Sequence, residues 1–268
     1  MESKVLENAV ENFKNSLNYD DLSMCYQIPD SLRDVCKIYL IHEKTKSINF
    51  KNVPDNLLNL NVIDDYEKSI ETIDNIIQMD TEGFFKELDS KTKNRMKHGD
   101  FRSLILGILY LKGVWYAYRS KLHCKRKFYN ADESVTDNVE FFYFENLKVT
   151  INNNMLSVDV PYNESLENFV RFTIPYAGES RIVTNSKVCL PEVDITFRKE
   201  IKINPLTVIN YRYQQDVDGF TAACVSCMDT YDGVRHLESF YFDKPFDVTI
   251  FYKNEELFSA HVDTIESK

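Results

Sequence analysis

Apolar residues recur at helical spacing in the amino-terminal part of the chain and crowd into short runs beyond residue 104. Over 3–17, Val5, Leu6, Ala9, Val10, Phe13 and Leu17 fall on one face with Asn and Glu opposite, which predicts an amphipathic helix. Ser31 to about Glu43 follows Pro29 and Asp30, a helix-start signal, and carries Leu32, Val35, Cys36, Tyr39 and Leu40 at helical spacing. A third helix is predicted over Ser69–Leu88 from Ile70, Ile73, Ile76, Ile77, Phe84, Phe85 and Leu88, with an interruption at Gly83.

From Leu104 the pattern changes. Residues 104–111 form a continuous apolar run, as expected of a strand buried on both faces. Further strands are predicted at 139–144, 147–151, 155–160, 169–174, 187–190, 193–197, 206–213, 238–242, 246–252 and 256–262. Turn signals lie at Asn152-Asn-Asn154, Pro161, Ala177-Gly178, Pro205 and Lys253-Asn254. Helices followed by crowded strands, with no internal repeat, predict an α+β fold with at least two sheets.

Composition narrows the function classes. A chain of 268 residues with 43% hydrophobic and 28% charged residues is an ordinary globular one, read here as a single domain over 1–268. Only 7 Gly and 7 Pro exclude collagen-like and linker-dominated architectures. The net charge of −10 opposes general nucleic-acid binding, which needs a cationic surface. The amino terminus has no apolar h-region, and no apolar run is long enough to span a membrane. In such a chain Cys25, Cys36, Cys124, Cys189, Cys224 and Cys227 are expected to be thiols rather than a disulfide framework. The sequon Asn163-Glu-Ser165 is then not glycosylated.

Little in the sequence points to catalysis. Cys224 and Cys227 have a redox or half-zinc spacing, but no helix start follows and only His236 is a nearby further ligand. The five histidines sit in no metal or triad motif, and no nucleophile elbow or phosphate loop is present. No enzyme activity and no cofactor are predicted. Arg119, Lys121, His123, Lys125, Arg126 and Lys127 form a basic run that could meet a polyanion, but it reads better as a solvated connection between strands.

Segment 218–235 is the most informative. Asp232-Gly233 is a hairpin turn signal between strand formers, so one reading is a β-hairpin. The other is an exposed loop that can itself become a strand. In that case Phe220, Ala222, Cys224, Ser226, Met228 and Thr230 share one face, small or apolar after its leading ring.

Several segments together resemble the serpin family. Leu109-Tyr-Leu-Lys-Gly-Val-Trp115 is similar to its apolar-x-Phe-Lys-Gly-x-Trp strand, with Lys127-Phe-Tyr matching the strand after it. Met155-Leu-Ser-Val-Asp-Val-Pro-Tyr162 and Val188-Cys-Leu-Pro-Glu-Val193 resemble its Leu-Glu-Leu-Pro-Tyr and Val-x-Leu-Pro-Lys-Phe segments. Asp218-Gly-Phe-Thr-Ala-Ala223 resembles the hinge Glu-Gly-Thr-Glu-Ala-Ala. Phe242-Asp-Lys-Pro-Phe246 and Glu256-Leu-Phe258 resemble the carboxy-terminal strands. The order holds from about 69 to 262, in a chain shorter than complete serpins and similar to those of poxviruses.

The resemblance implies a reduced serpin-like α+β fold: amino-terminal helices, a large central sheet, smaller sheets and an exposed reactive-centre-type loop at about 218–236. It implies a modulator of host proteases or of inflammatory and apoptotic signalling, acting in the host cytoplasm on a caspase-like or serine protease. The hinge would comprise Gly219, Phe220, Ala222 and Ala223. The scissile region would contain Asp232, Gly233 and Arg235, with Asp232 a bait for Asp-specific proteases and Arg235 one for trypsin-like proteases. Val217 and Phe220 depart from the hinge pattern. A Phe at the point of first insertion is expected to displace packed neighbours at about 1–3 kcal/mol. The alternative is therefore a non-inhibitory serpin-fold protein that acts by protein–protein interaction.

Overall fold

The computed structural model describes residues 35–43, 57–62, 66–88, 90–97, 103–117, 119–201, 207–216, 218–222 and 239–265. The predicted helix at 3–17 and the turn at Pro205 lie outside them. The chain divides into two compact units, one of Lys4–Leu111 with Glu200–Ile209 and a larger one of Met1–Ser3, Lys112–Lys199 and Asn210–Lys268.

In the smaller unit β1 (Cys36–Glu43) lies between β2 (Leu57–Val62), to which it is parallel, and β3 (Ser103–Leu109), to which it is antiparallel. The helix predicted up to Glu43 is thus a strand over Cys36–Glu43. Ile38-Tyr-Leu-Ile41 is an unbroken run of strand formers, and pairing on both sides overrides an incidental helical spacing. Helix α1 (Tyr66–Asp80) ends at Asp80 rather than Leu88. Gly83, at φ 80°, takes the left-handed conformation there and its amide donates to the Gln78 carbonyl at 2.7 Å. Thr81 Oγ1 donates to the Ile77 carbonyl, and a second helix, α2 (Ser90–Lys97), follows. Ile73, Ile77 and Leu88 pack with Tyr39 and Ile108 into the core of this unit.

The larger unit is built of strands. Its eight-stranded sheet runs β13 (Ser239–Tyr241), β9 (Arg181–Pro191), β6 (Val135–Asn152), β7 (Met155–Tyr162), β8 (Ser165–Pro175), β14 (Phe246–Tyr252), β15 (Glu255–Val262), with β5 (Arg119–Tyr129) paired to β6. A four-stranded sheet has the order β10 (Val193–Ile201), β11 (Thr207–Gln215), β12 (Gly219–Ala222), β4 (Leu111–Val114).

Local chemistry accounts for these elements. Alternation along β7 and β14 buries Leu156, Val158 and Val160 and Phe246, Val248 and Ile250. The tight turns Asn153-Asn154, Asn163-Glu164 and Lys253-Asn254 have both central residues at positive φ, the geometry that suits hairpin twist and that Asn tolerates. Pro161 is not a turn: it lies within β7, opposite Phe169. The strands predicted at 139–144 and 147–151 are one strand, β6, whose register shifts between Phe144 and Leu147 around Asn146 at φ 60°. The side chain of Asn163 accepts from the Val114 amide at 2.8 Å and donates to the Lys112 carbonyl at 3.0 Å, so the sequon asparagine fastens β4.

The basic run is also a strand, not a connection. Lys125 and Lys127 face carboxylates of β6, Glu140 at 3.0 Å and Asp137 at 3.1 Å, and Arg126 lies 3.8 Å from Asp243 in the connection after β13. Opposite-charge pairing across strands places them there. Of the cysteines, Cys124 is a partly exposed free thiol and Cys189 a buried one whose pKa burial pushes up to about 12.

The segment after β15 is tied down by Asn130. Its amide donates to Ser134 Oγ at 2.9 Å and Thr136 Oγ1 at 3.0 Å, and its carbonyl accepts the buried Ile265 amide at 3.0 Å. Asn130→Ala leaves that amide without its acceptor and is expected to cost about 1–3 kcal/mol, measured by urea unfolding. A cost near zero contradicts this role.

Candidate functional site

The site is the hairpin from β11 into β12 and the side chains that receive it. Asp216 makes the turn: its amide donates to the Gly219 carbonyl at 3.0 Å, and its Oδ1 accepts the Asp218 and Gly219 amides at 2.8 and 3.1 Å. The indole N–H of Trp115, the single tryptophan, donates to the Asp216 carbonyl at 2.9 Å. The chain then returns antiparallel to β11, with Gln214 opposite Thr221 and Gln215 opposite Phe220, and enters the sheet between β11 and β4.

Phe220 is 1% exposed. Its ring meets Tyr162 edge-on at 4.8 Å, Trp115 at 5.1 Å and Tyr213 at 6.4 Å between centroids. On β4 it covers Gly113, where an added Cβ would overlap the ring. A Cβ on Gly219 would likewise overlap the Gly113 carbonyl oxygen, so both glycines permit the close approach of β12 to β4. The missing side chain of Gly113 provides the space for the Phe220 ring.

A buried polar pair supports this seat from the β11 side. Tyr213 Oη donates to Gln215 Oε1 at 2.7 Å, and Gln215 Nε2 donates to the Pro191 carbonyl at 2.7 Å. Burial, reinforced by the Asp216 charge, raises the Tyr213 pKa and keeps its hydroxyl a donor. Burial also raises the pKa of Tyr162, whose hydroxyl donates to the Phe251 carbonyl at 3.0 Å.

Gly219, Phe220 and Ala222 thus lie together in a strand; Gly219 and Phe220 are buried rather than at the start of an exposed loop. Ala223, Asp232, Gly233 and Arg235, and with them Val217, Cys224 and Cys227, lie outside the described residues. Segment 223–238 leaves from β12 in the four-stranded sheet and rejoins at β13, parallel to β9, in the eight-stranded one. Sequence reasoning missed Gly113 and Asp216. A glycine inside an apolar strand is itself a sign of close backbone approach, so Gly113 carried a usable signal.

Among the described residues no group of three or more His, Cys, Asp or Glu could hold a metal, and no helix is long and apolar enough to cross a membrane. No protein-family model matches the chain, and no curated protein does. Solved structures do. Cleaved Serpin 42Da aligns at 12% identity and TM-score 0.67, over 99% of this chain and 87% of its own. Serpin48 of the insect Tenebrio molitor aligns at 12% identity and TM-score 0.64, over 87% of this chain and 76% of its own. Thyroxine-binding globulin in complex with thyroxine aligns at 9% identity and TM-score 0.65, over 98% and 84%. Serpins and thyroxine-binding globulin share this architecture, and the chain has the serpin fold.

Proposed function

We propose that the protein is a cytosolic modulator of host proteases, of the shortened viral kind, which presents residues near 218–236 as bait. The observation that carries this reading is the position of Gly219–Ala222: a strand already begun between β11 and β4, whose continuation returns to a different sheet. A protease nucleophile attacks the carbonyl carbon of Asp232, the bond to the Gly233 nitrogen breaks, and that amine leaves with a proton. The protease remains acylated by Asp232, through a thioester for a cysteine protease or an ester for a serine protease. The freed segment then lengthens β12, with Gly219, Phe220, Ala222 and Ala223 as its hinge, and the added ladder bonds and burial drive the change. The protein itself supplies no catalysis.

The test is exposure to caspases and trypsin-like proteases. A covalent, SDS-resistant complex with the cut at Asp232–Gly233 is the expected result; a cut at Arg235 assigns a trypsin-like target instead. Loop cleavage with protease activity unchanged rejects inhibition. That outcome would favour the second reading, a non-inhibitory serpin-fold binding protein. Phe220 motivates it, since a hinge anchored by an aromatic ring resists movement, and the similarity to thyroxine-binding globulin is compatible with it.

A further inference from the structure

We propose that Phe220 and Gly113 form a size-matched lock that holds the start of the loop in the sheet while the chain is uncut. The consequence for proteases rests on the proposed function; the lock itself does not. A strand of four residues has few ladder bonds of its own, and Gly219 brings no side chain. Phe220 supplies the apolar surface, covering Gly113 and enclosed by Trp115, Tyr162 and Tyr213. Burying one Phe favours the seated strand by roughly 10- to 100-fold over an unseated one. The turn adds geometry: Asp216 fixes the amides of Asp218 and Gly219, and Trp115 fixes Asp216. The ring and the turn are thus held by one tryptophan, which reports on both. The lock fixes the chain up to Phe220, and releasing the ring would free β12 from its seat.

The lock predicts that two substitutions depend on each other. In the full chain, Gly113→Ala puts a methyl group where the ring sits. It should shift the Trp115 emission to the red, lower the unfolding midpoint and speed chymotrypsin cleavage after Phe220 by about tenfold or more. In a Phe220→Ala background the ring is gone and the same methyl has room, so adding Gly113→Ala should change emission and midpoint little. If Gly113→Ala alone does not fold, the comparison of Phe220→Ala with the double variant still reads the lock. Equal effects of Gly113→Ala in both backgrounds, or no effect in the wild-type one, overturn it. Failure to trap any protease while the two substitutions remain interdependent counts against the proposed function and leaves the lock standing.

Discussion

Phe220→Ala is expected to lower the unfolding free energy by about 3–5 kcal/mol, the range for a fully buried Phe in a packed core. The magnitude follows from what surrounds the ring. Trp115, Tyr162 and Tyr213 are each at most 5% exposed and belong to the larger unit's core, so they are fixed by other contacts and cannot collapse into the space left. Trp115 also packs edge-on against Phe144 at 5.4 Å, and Tyr213 stacks on Phe258 at 6.1 Å. Truncation therefore removes the ring's burial and leaves a cavity. Tyr116, 53% exposed, is the control: Tyr116→Ala should stay within about 0.5 kcal/mol. Urea unfolding of the two variants gives the comparison. A loss below about 1 kcal/mol for Phe220→Ala would mean that β12 is not seated in the sheet.

How much of this was legible depended on whether the deciding interaction was local. The strand predicted at 246–252 is β14, residue for residue, because strict alternation and an Asn-containing turn are encoded within it. The hairpin after Asn152 was legible for the same reason. Two segments misled. Ile38-Tyr-Leu-Ile41 was assigned to a helix because its partners, β2 and β3, are distant in sequence and pairing with them decides the outcome. The basic run was expected to be a solvated connection; Lys125 and Lys127 are indeed 62% exposed, but they stand on a strand, because the carboxylates they face, Glu140 and Asp137, lie on β6.

The candidate site divides along the same line. The resemblance at Gly219 and Ala222 drew attention to a segment that the structure shows as the strand β12. Phe220 could be recognised as a departure from the hinge pattern, but not as a ring already buried over Gly113. What makes the ring fit is Gly113, over a hundred residues earlier, and no local pattern joins the two. The polar support from Tyr213 through Gln215 to the Pro191 carbonyl is equally non-local.

Cleaving the loop is expected to produce the other large effect. In the uncut chain β12 pairs with β11 at Gln214↔Thr221 and Gln215↔Phe220, yet β11 extends back to Thr207. Continuing that register would bring 223–228 alongside Arg212–Thr207, with Cys224, Ser226 and Met228 on the face that Phe220 buries. These are side chains of modest size, and no proline interrupts the ladder. Several new ladder bonds at about 0.5–1.5 kcal/mol each sum to roughly 5 kcal/mol. For a chain of this size that is a rise of roughly 10–20 °C in the unfolding midpoint. The decisive measurement is thermal unfolding of the protein before and after a single cut at Asp232–Gly233. A midpoint raised by that amount is the predicted result, and one that stays the same or falls after the cut contradicts a sheet built to take up the loop.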